Sequence, residues 1–356
     1  MFIHLYGMNL LNLFLFFMPV AGLSFYACTI GCGLVLAAAG AAGLVFIRPW
    51  LRFLPLRVFL ILSAAVWACS AFLTAYGSSD DWAAAGVLFL GIFPFPALLT
   101  VPVNFIFSSR HPAPAKACCL GLFSSAAMIC VIPFQMIFAY FPGPAIVLLF
   151  SMMTVCSVRL PGSGDRSHAD MMCRRSRRSV YCCFRIRAFT FLSSFCAAGP
   201  LSAIWTEKTA DLPPILPLIA GAAAGPVLTA AVIAKKGIYA GSIFFIFLLE
   251  LSSMGMAFAG KGLFIFSSVM AGAAFSSVFL ACPAAAYYYL GLSSSLDDGA
   301  SSAACIMAGA AISHIFFRTY IPLIWSPVLS LCLTALSVVD FFIIFSAWRH
   351  RFVLLK

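Results

Sequence analysis

Apolar residues run along this chain in long uninterrupted blocks, parted by short polar breaks. Blocks of roughly 20 apolar residues are the length that carries an α-helix across the hydrocarbon core of a bilayer. Strands of a membrane barrel would alternate apolar and polar positions instead. The blocks predict helices at 3–20, 24–47, 58–77, 83–107, 117–138 and 140–158. A polar, basic stretch at 159–187 follows, and then helices at 188–206, 213–234, 238–259, 263–290, 299–317 and 325–347. Gly22 and Ser24 mark the boundary between the first two. The prediction is an all-α membrane protein of twelve transmembrane helices in two pseudo-symmetric six-helix bundles. Residues 1–158 form the first bundle, 159–187 a basic cytoplasmic linker and 188–356 the second bundle.

An internal repeat supports the two halves. Displaced by 181 residues without a gap, Pro19 falls on Pro200, Gly40 on Gly221, Gly91 on Gly272 and Pro102 on Pro283. Each match sits at the equivalent place of an equivalent helix, as in transporter folds built from repeats.

Composition agrees about the solvent. Hydrophobic residues make up 63% of the chain, charged residues 9%, and mean hydropathy is +1.08. A soluble domain carries about 25% charged residues, so most of this surface faces lipid. Every backbone polar group at that depth must be paired within the protein. The short breaks leave no room for a globular enzyme domain, and no HExxH run, P-loop or Gly-x-Ser-x-Gly elbow is present, so no enzyme activity is expected. The N-terminus lacks the basic region of a signal peptide. Most of the 14 cysteines lie inside apolar runs, where they act as small hydrophobes; Cys173, Cys182 and Cys183 complete no zinc pattern. Neither metal nor cofactor is expected.

A net charge of +11 would suggest nucleic acid in a soluble protein, but its placement points elsewhere. With the N-terminus in the cytoplasm, the inside loops hold Arg48, Arg52, Arg57, Arg110, Lys116, the 159–187 cluster, Lys235, Lys236, Arg349, Arg351 and Lys356. The outside loops hold Lys208, Lys261 and Arg318, with acidic Asp80, Asp81, Glu207 and Asp211. Positive charge gathers on the cytoplasmic side of multi-pass proteins. This predicts a multi-pass cell-membrane protein with both termini cytoplasmic, a monomer whose partners are the bilayer and a small molecule, and no direct nucleic-acid binding. The arginines 174, 175, 177, 178, 185 and 187 then serve topology beside anionic lipid.

Ionisable groups at membrane depth are costly and therefore functional candidates. Glu250, Asp340 and His314 are the candidates for proton coupling, which needs a group that can be charged in one state and neutral in another. At 1.5 Å per residue, Glu250 lies about 18 Å from the inner end of its segment and Asp340 about 10 Å from the inner end of its own, so no direct pair is expected.

The 6+6 layout, the fourth segment Gly91-Ile-Phe-Pro-Phe-Pro with Pro102, and its echo Gly272…Pro283 before Asp297-Asp298-Gly299 resemble the major facilitator superfamily of secondary transporters. In that family the first, fourth, seventh and tenth helices line the substrate cavity. The resemblance implies cavity positions at Asn12, Phe93, Thr100, Asn104, Ser194, Trp205, Ser276 and Tyr287. These segments hold no acid or base, which suits a small neutral or lipophilic ligand. Gly40, Gly221 and Gly225 permit close helix contact, and Pro102 and Pro283 are gating positions. The function implied is alternating-access transport, with proton-coupled efflux as its form. The loop Arg48-Pro-Trp-Leu-Arg52-Phe-Leu-Pro-Leu-Arg57 lacks the family's Gly…Asp-Arg…Gly-Arg-Arg run. That keeps a second reading open, a membrane sensor that binds a small ligand and signals through a partner regulator.

Overall fold

Where the chain breaks its helices is set by proline and glycine. The computed structural model describes residues 2–29, 31–77, 79–109, 112–160, 180–206, 215–258, 261–290, 296–320 and 326–354. Its helices are α1 (Phe2–Thr29), α2 (Gly33–Phe53), α3 (Leu56–Tyr76), α4 (Asp80–Ile92), α5 (Pro94–Ser108), α6 (Ala113–Tyr140) and α7 (Pro142–Arg159). The second half gives α8 (Val180–Thr206), α9 (Ile215–Lys236), α10 (Ile238–Ala257), α11 (Lys261–Leu290), α12 (Leu296–Tyr320) and α13 (Ser326–Leu354). Among the described residues no strand is present.

The first boundary moves. Gly22 and Ser24 lie inside α1, and the chain turns at Gly31, whose φ of +85° suits glycine. Gly22 has a packing purpose instead, because a Cβ there would enter the Phe134 ring. Gln135 Nε2 also donates to its carbonyl at 3.1 Å. The Ser24 hydroxyl donates back to Val20 O at 2.7 Å, which a helix accommodates. The segment expected at 83–107 is likewise two helices. Phe93 (φ −126°, ψ −64°) separates α4 from α5, since Pro94 has no N–H and drives the residue before it out of helical geometry.

Ten stretches are long and apolar enough to cross a membrane, with Asp80–Phe107 counted as one. The sequence predicts twelve. α2 falls short because its apolar part is only Gly33–Ile47. α8 is more polar, carrying Arg185 and Arg187 as well as Thr190, Ser193 and Ser194. The linker arginines 174, 175, 177 and 178 lie outside the described residues, as do Glu207, Lys208 and Asp211. Helix-terminal charges follow the backbone dipole: Asp80 and Asp81 open α4, and Lys235 and Lys236 close α9.

The chain forms two compact units. One comprises Met1–Phe105, Cys130–Arg174 and Ser294–Ala304; the other Ile106–Ile129, Arg175–Ser293 and Cys305–Lys356. In the first unit, α2 meets α4 backbone to backbone. A Cβ on Gly91 would press on Ala39 Cβ, Leu36 O and Gly40 N, and one on Gly43 would strike Ile92 O. In the second unit, α9 meets α11 in the same way. Gly272 lies against Leu218 O and Ala222 N, Gly221 against Val269 O and Gly225 against Ala273 O. The displaced glycines of the sequence repeat thus make one kind of contact in each unit. With almost no hydrophobic drive between helices in lipid, such close approach supplies the packing energy.

Trp67 anchors α3 to α1 within the first unit. It is fully buried, and its indole Nε1 donates to Pro19 O at 3.0 Å. Trp67→Phe should lower stability by about 1–3 kcal/mol through the lost bond and the smaller ring, read as a fall in thermal midpoint in detergent.

Candidate functional site

A carboxyl group in a helix bundle must find hydroxyls, thiols or a cation, since lipid offers nothing. Asp340 lies midway along α13 in the second unit and is fully buried. Its Oδ2 accepts a hydrogen bond from the Ser193 hydroxyl of α8, which is also fully buried. Its Oδ1 has no hydrogen bond. Two buried thiols complete the surroundings, Cys196 of α8 and Cys282 of α11, both within electrostatic reach of the carboxyl.

Glu250 of α10 is half-buried and faces Thr334 and Ser337 of α13. Its Oε2 is buried without a hydrogen bond, and so is the Ser337 hydroxyl. The register of the two helices explains this meeting. Tyr239, near the start of α10, stacks on Trp348, near the end of α13, with ring centroids 4.7 Å apart. From that clasp Glu250 and Ser337 are each eleven residues on, about 16.5 Å at 1.5 Å per residue, so they are level. Asp340 is one turn nearer the clasp. The separation in depth expected from sequence, about 18 Å against 10 Å, therefore shrinks. The reason is that α13 continues to Leu354, seven residues past its predicted end at 347. Thr334, Ser337 and Asp340, spaced by three, share one helix face. Both carboxyls reach Cys196 electrostatically. Ser337, Thr334 and Cys196 have no part in the sequence reading; the three-residue spacing up to Asp340 is the signal that could have found them.

His314 of α12 is half-buried, with Nδ1 3.0 Å from the Ser202 hydroxyl of α8. The expected cavity positions behave differently from one another. Thr100 and Ser276 are buried and donate within their own helices, to Pro96 O at 2.8 Å and Gly272 O at 3.0 Å. Ser194 donates to Ile306 O of α12 at 2.5 Å. Asn12 is buried on α1. Phe93 stands at the α4–α5 break, its ring 4.9 Å from that of Phe59. Asn104 of α5 is half-buried, with Nδ2 making no hydrogen bond. Trp205 is on α8, and its side chain lies outside the described residues. Pro102 and Pro283 lie inside α5 and α11, whose helices continue through them.

Tyr287 has a defined partner that the sequence does not suggest. Lys116, expected in a loop, lies in the first turns of α6 and is 6% exposed. Its ammonium donates to Phe107 O in the last turn of α5 at 2.9 Å and to the Tyr287 hydroxyl at 3.0 Å. It also lies 4.8 Å from the Tyr287 ring centre. The carbonyl end of a helix attracts a cation, and the ring face adds to that. Lys116 thus ties α5, α6 and α11 together within the second unit. Lys116→Met should cost about 2 kcal/mol, because the ammonium's bonds vanish together. Tyr287→Phe, which keeps the ring, should cost less. Thermal midpoints in one detergent decide the order.

No family model and no curated protein matches this chain. Solved structures do. The human organic anion transporter MFSD10 (TETRAN) superposes with a TM-score of 0.70 at 14% identity, over 96% of this chain and 98% of that one. The transporter FucP, captured in an outward conformation, gives 0.68 at 13% identity over 96% and 99%. A variant of the E. coli fucose:proton symporter FucP gives 0.61 at 12% identity over 96% of each.

Proposed function

On the premise that this chain has the fold of the major facilitator superfamily transporters, we propose that it is a secondary active transporter coupled to protons. It works by alternating access between two six-helix halves, and it moves a small neutral or lipophilic compound outward across the cell membrane. The observation that carries the coupling is Asp340. A fully buried carboxyl with one oxygen bonded to Ser193 and the other unbonded is costly to keep in a bilayer. A coupling group repays that cost by taking up a proton in one state and releasing it in another. The matching glycine contacts of α2 with α4 and α9 with α11 support the two halves.

The test is a flux measurement in proteoliposomes under an imposed pH gradient, across a panel of neutral, lipophilic and anionic compounds. Gradient-driven accumulation of any of them supports the reading. Compounds that stabilise the purified protein against heat but are never moved overturn it in favour of a ligand sensor.

A further inference from the structure

The second unit holds more buried oxygen than Asp340 alone. Ser337 is fully buried with a hydroxyl that makes no hydrogen bond, and it points at the cluster from between the two carboxyls. Glu250 Oε2 and Asp340 Oδ1 are the other two buried oxygens here without a bond. All three lie on the facing sides of α10 and α13, within one helical turn of the level set by the Tyr239–Trp348 clasp. A single proton satisfies all three. Carried on Asp340 Oδ1 it becomes a donor for Ser337 Oγ, and the Ser337 hydroxyl hydrogen then becomes a donor for Glu250 Oε2.

We propose that Ser337 is a proton-transfer residue linking Asp340 to Glu250, so that the coupling proton moves between a fully buried and a half-buried carboxyl. This deepens the proton-coupled reading above and rests on it. In the step, the O–H bond at Asp340 breaks and a new one forms at Ser337 Oγ. The original Ser337 O–H bond breaks as its proton passes to Glu250 Oε2. Asp340 is left as carboxylate, Glu250 becomes the carboxylic acid, and Ser337 is unchanged. Rotation of the hydroxyl resets the path. The half-buried carboxyl is the end that can exchange with the outside of the bundle; the fully buried one, held by Ser193, is the end that stores the proton. The titratable groups facing this path are Cys196 from α8, Cys282 from α11 and Glu250 from α10. Thr334, one turn beyond Ser337 on α13, also faces Glu250, so Ser337 is the hydroxyl placed between the acids.

The experiment is an infrared titration of the purified full chain, following the protonated-carboxyl band of Asp340, assigned by its loss in Asp340→Asn. In the parent, Glu250→Gln should move the midpoint of that band by about 1 pH unit, the mark of two acids titrating together. In a Ser337→Ala background the same replacement should move it by less than half as much, and Ser337→Thr should restore the full shift. A midpoint that ignores Glu250→Gln in the parent, or a shift that survives Ser337→Ala, overturns the link. The titration needs no substrate. A protein that moves nothing in vesicles yet shows the coupled titration would lose the transport reading and keep the relay.

Discussion

Asp340→Asn is expected to stop gradient-driven transport while leaving the protein folded. Asparagine has nearly the same shape, and its carbonyl oxygen can still accept the Ser193 hydroxyl. It cannot exchange a proton. Positioned acid–base groups contribute about 100-fold or more to the steps they serve, so accumulation under a pH gradient should fall by about 100-fold. Exchange of substrate across the membrane without a gradient should persist, because that half of the cycle needs no net proton movement. The thermal midpoint should hold or rise, since a buried ionisable group has been replaced by a neutral one. Accumulation at the parental rate would remove Asp340 from the coupling role. Glu250→Gln under the same gradient is the companion measurement. A loss there that matches Asp340→Asn is what two ends of one proton path produce.

The membrane architecture was legible because bilayer thickness imposes a length on apolar runs that needs no knowledge of partners. The paired glycines were legible for a similar reason. A position where two helix backbones touch admits almost nothing else, so the repeat survives as Gly40 with Gly221 and Gly91 with Gly272. Boundaries were harder. Gly22 reads as a break in a sequence, and only the Phe134 ring opposite it explains why the helix passes through. Phe93 reads as continuous helix although Pro94 follows, and the chain breaks there. Side-chain chemistry was legible only one residue at a time. The cost of charge in lipid singles out Glu250 and Asp340, but their meeting through Ser337 depends on the antiparallel register of α10 and α13. That register is set by the aromatic clasp of Tyr239 and Trp348, residues far from the acids in sequence. Lys116 shows the reverse error. A lysine after a Pro-rich loop counts as a topology marker, whereas its ammonium is folded inward onto the end of α5 and the Tyr287 ring.

Gly221→Ala should be among the most damaging single-methyl changes available in this chain. A Cβ at Gly221 would fall on the carbonyl oxygen of Val269 and crowd its Cα, which is backbone and cannot rotate aside. The helices α9 and α11 would have to separate along the stretch where Gly225 meets Ala273 and Gly272 meets Leu218. Forcing atoms into a tightly packed contact costs about 1–3 kcal/mol, and the upper end applies here because three contacts loosen together. Gly272→Ala should behave in the same way from the opposite helix. The double replacement should cost less than the sum, since one separation relieves both clashes. Gly262→Ala is the control, with nothing within 4 Å of an added Cβ. Thermal unfolding in detergent reads all four. A Gly221→Ala protein as stable as the Gly262→Ala control would mean that α9 and α11 do not approach as closely as the glycines indicate. The repeat would then lose its physical basis in the second unit.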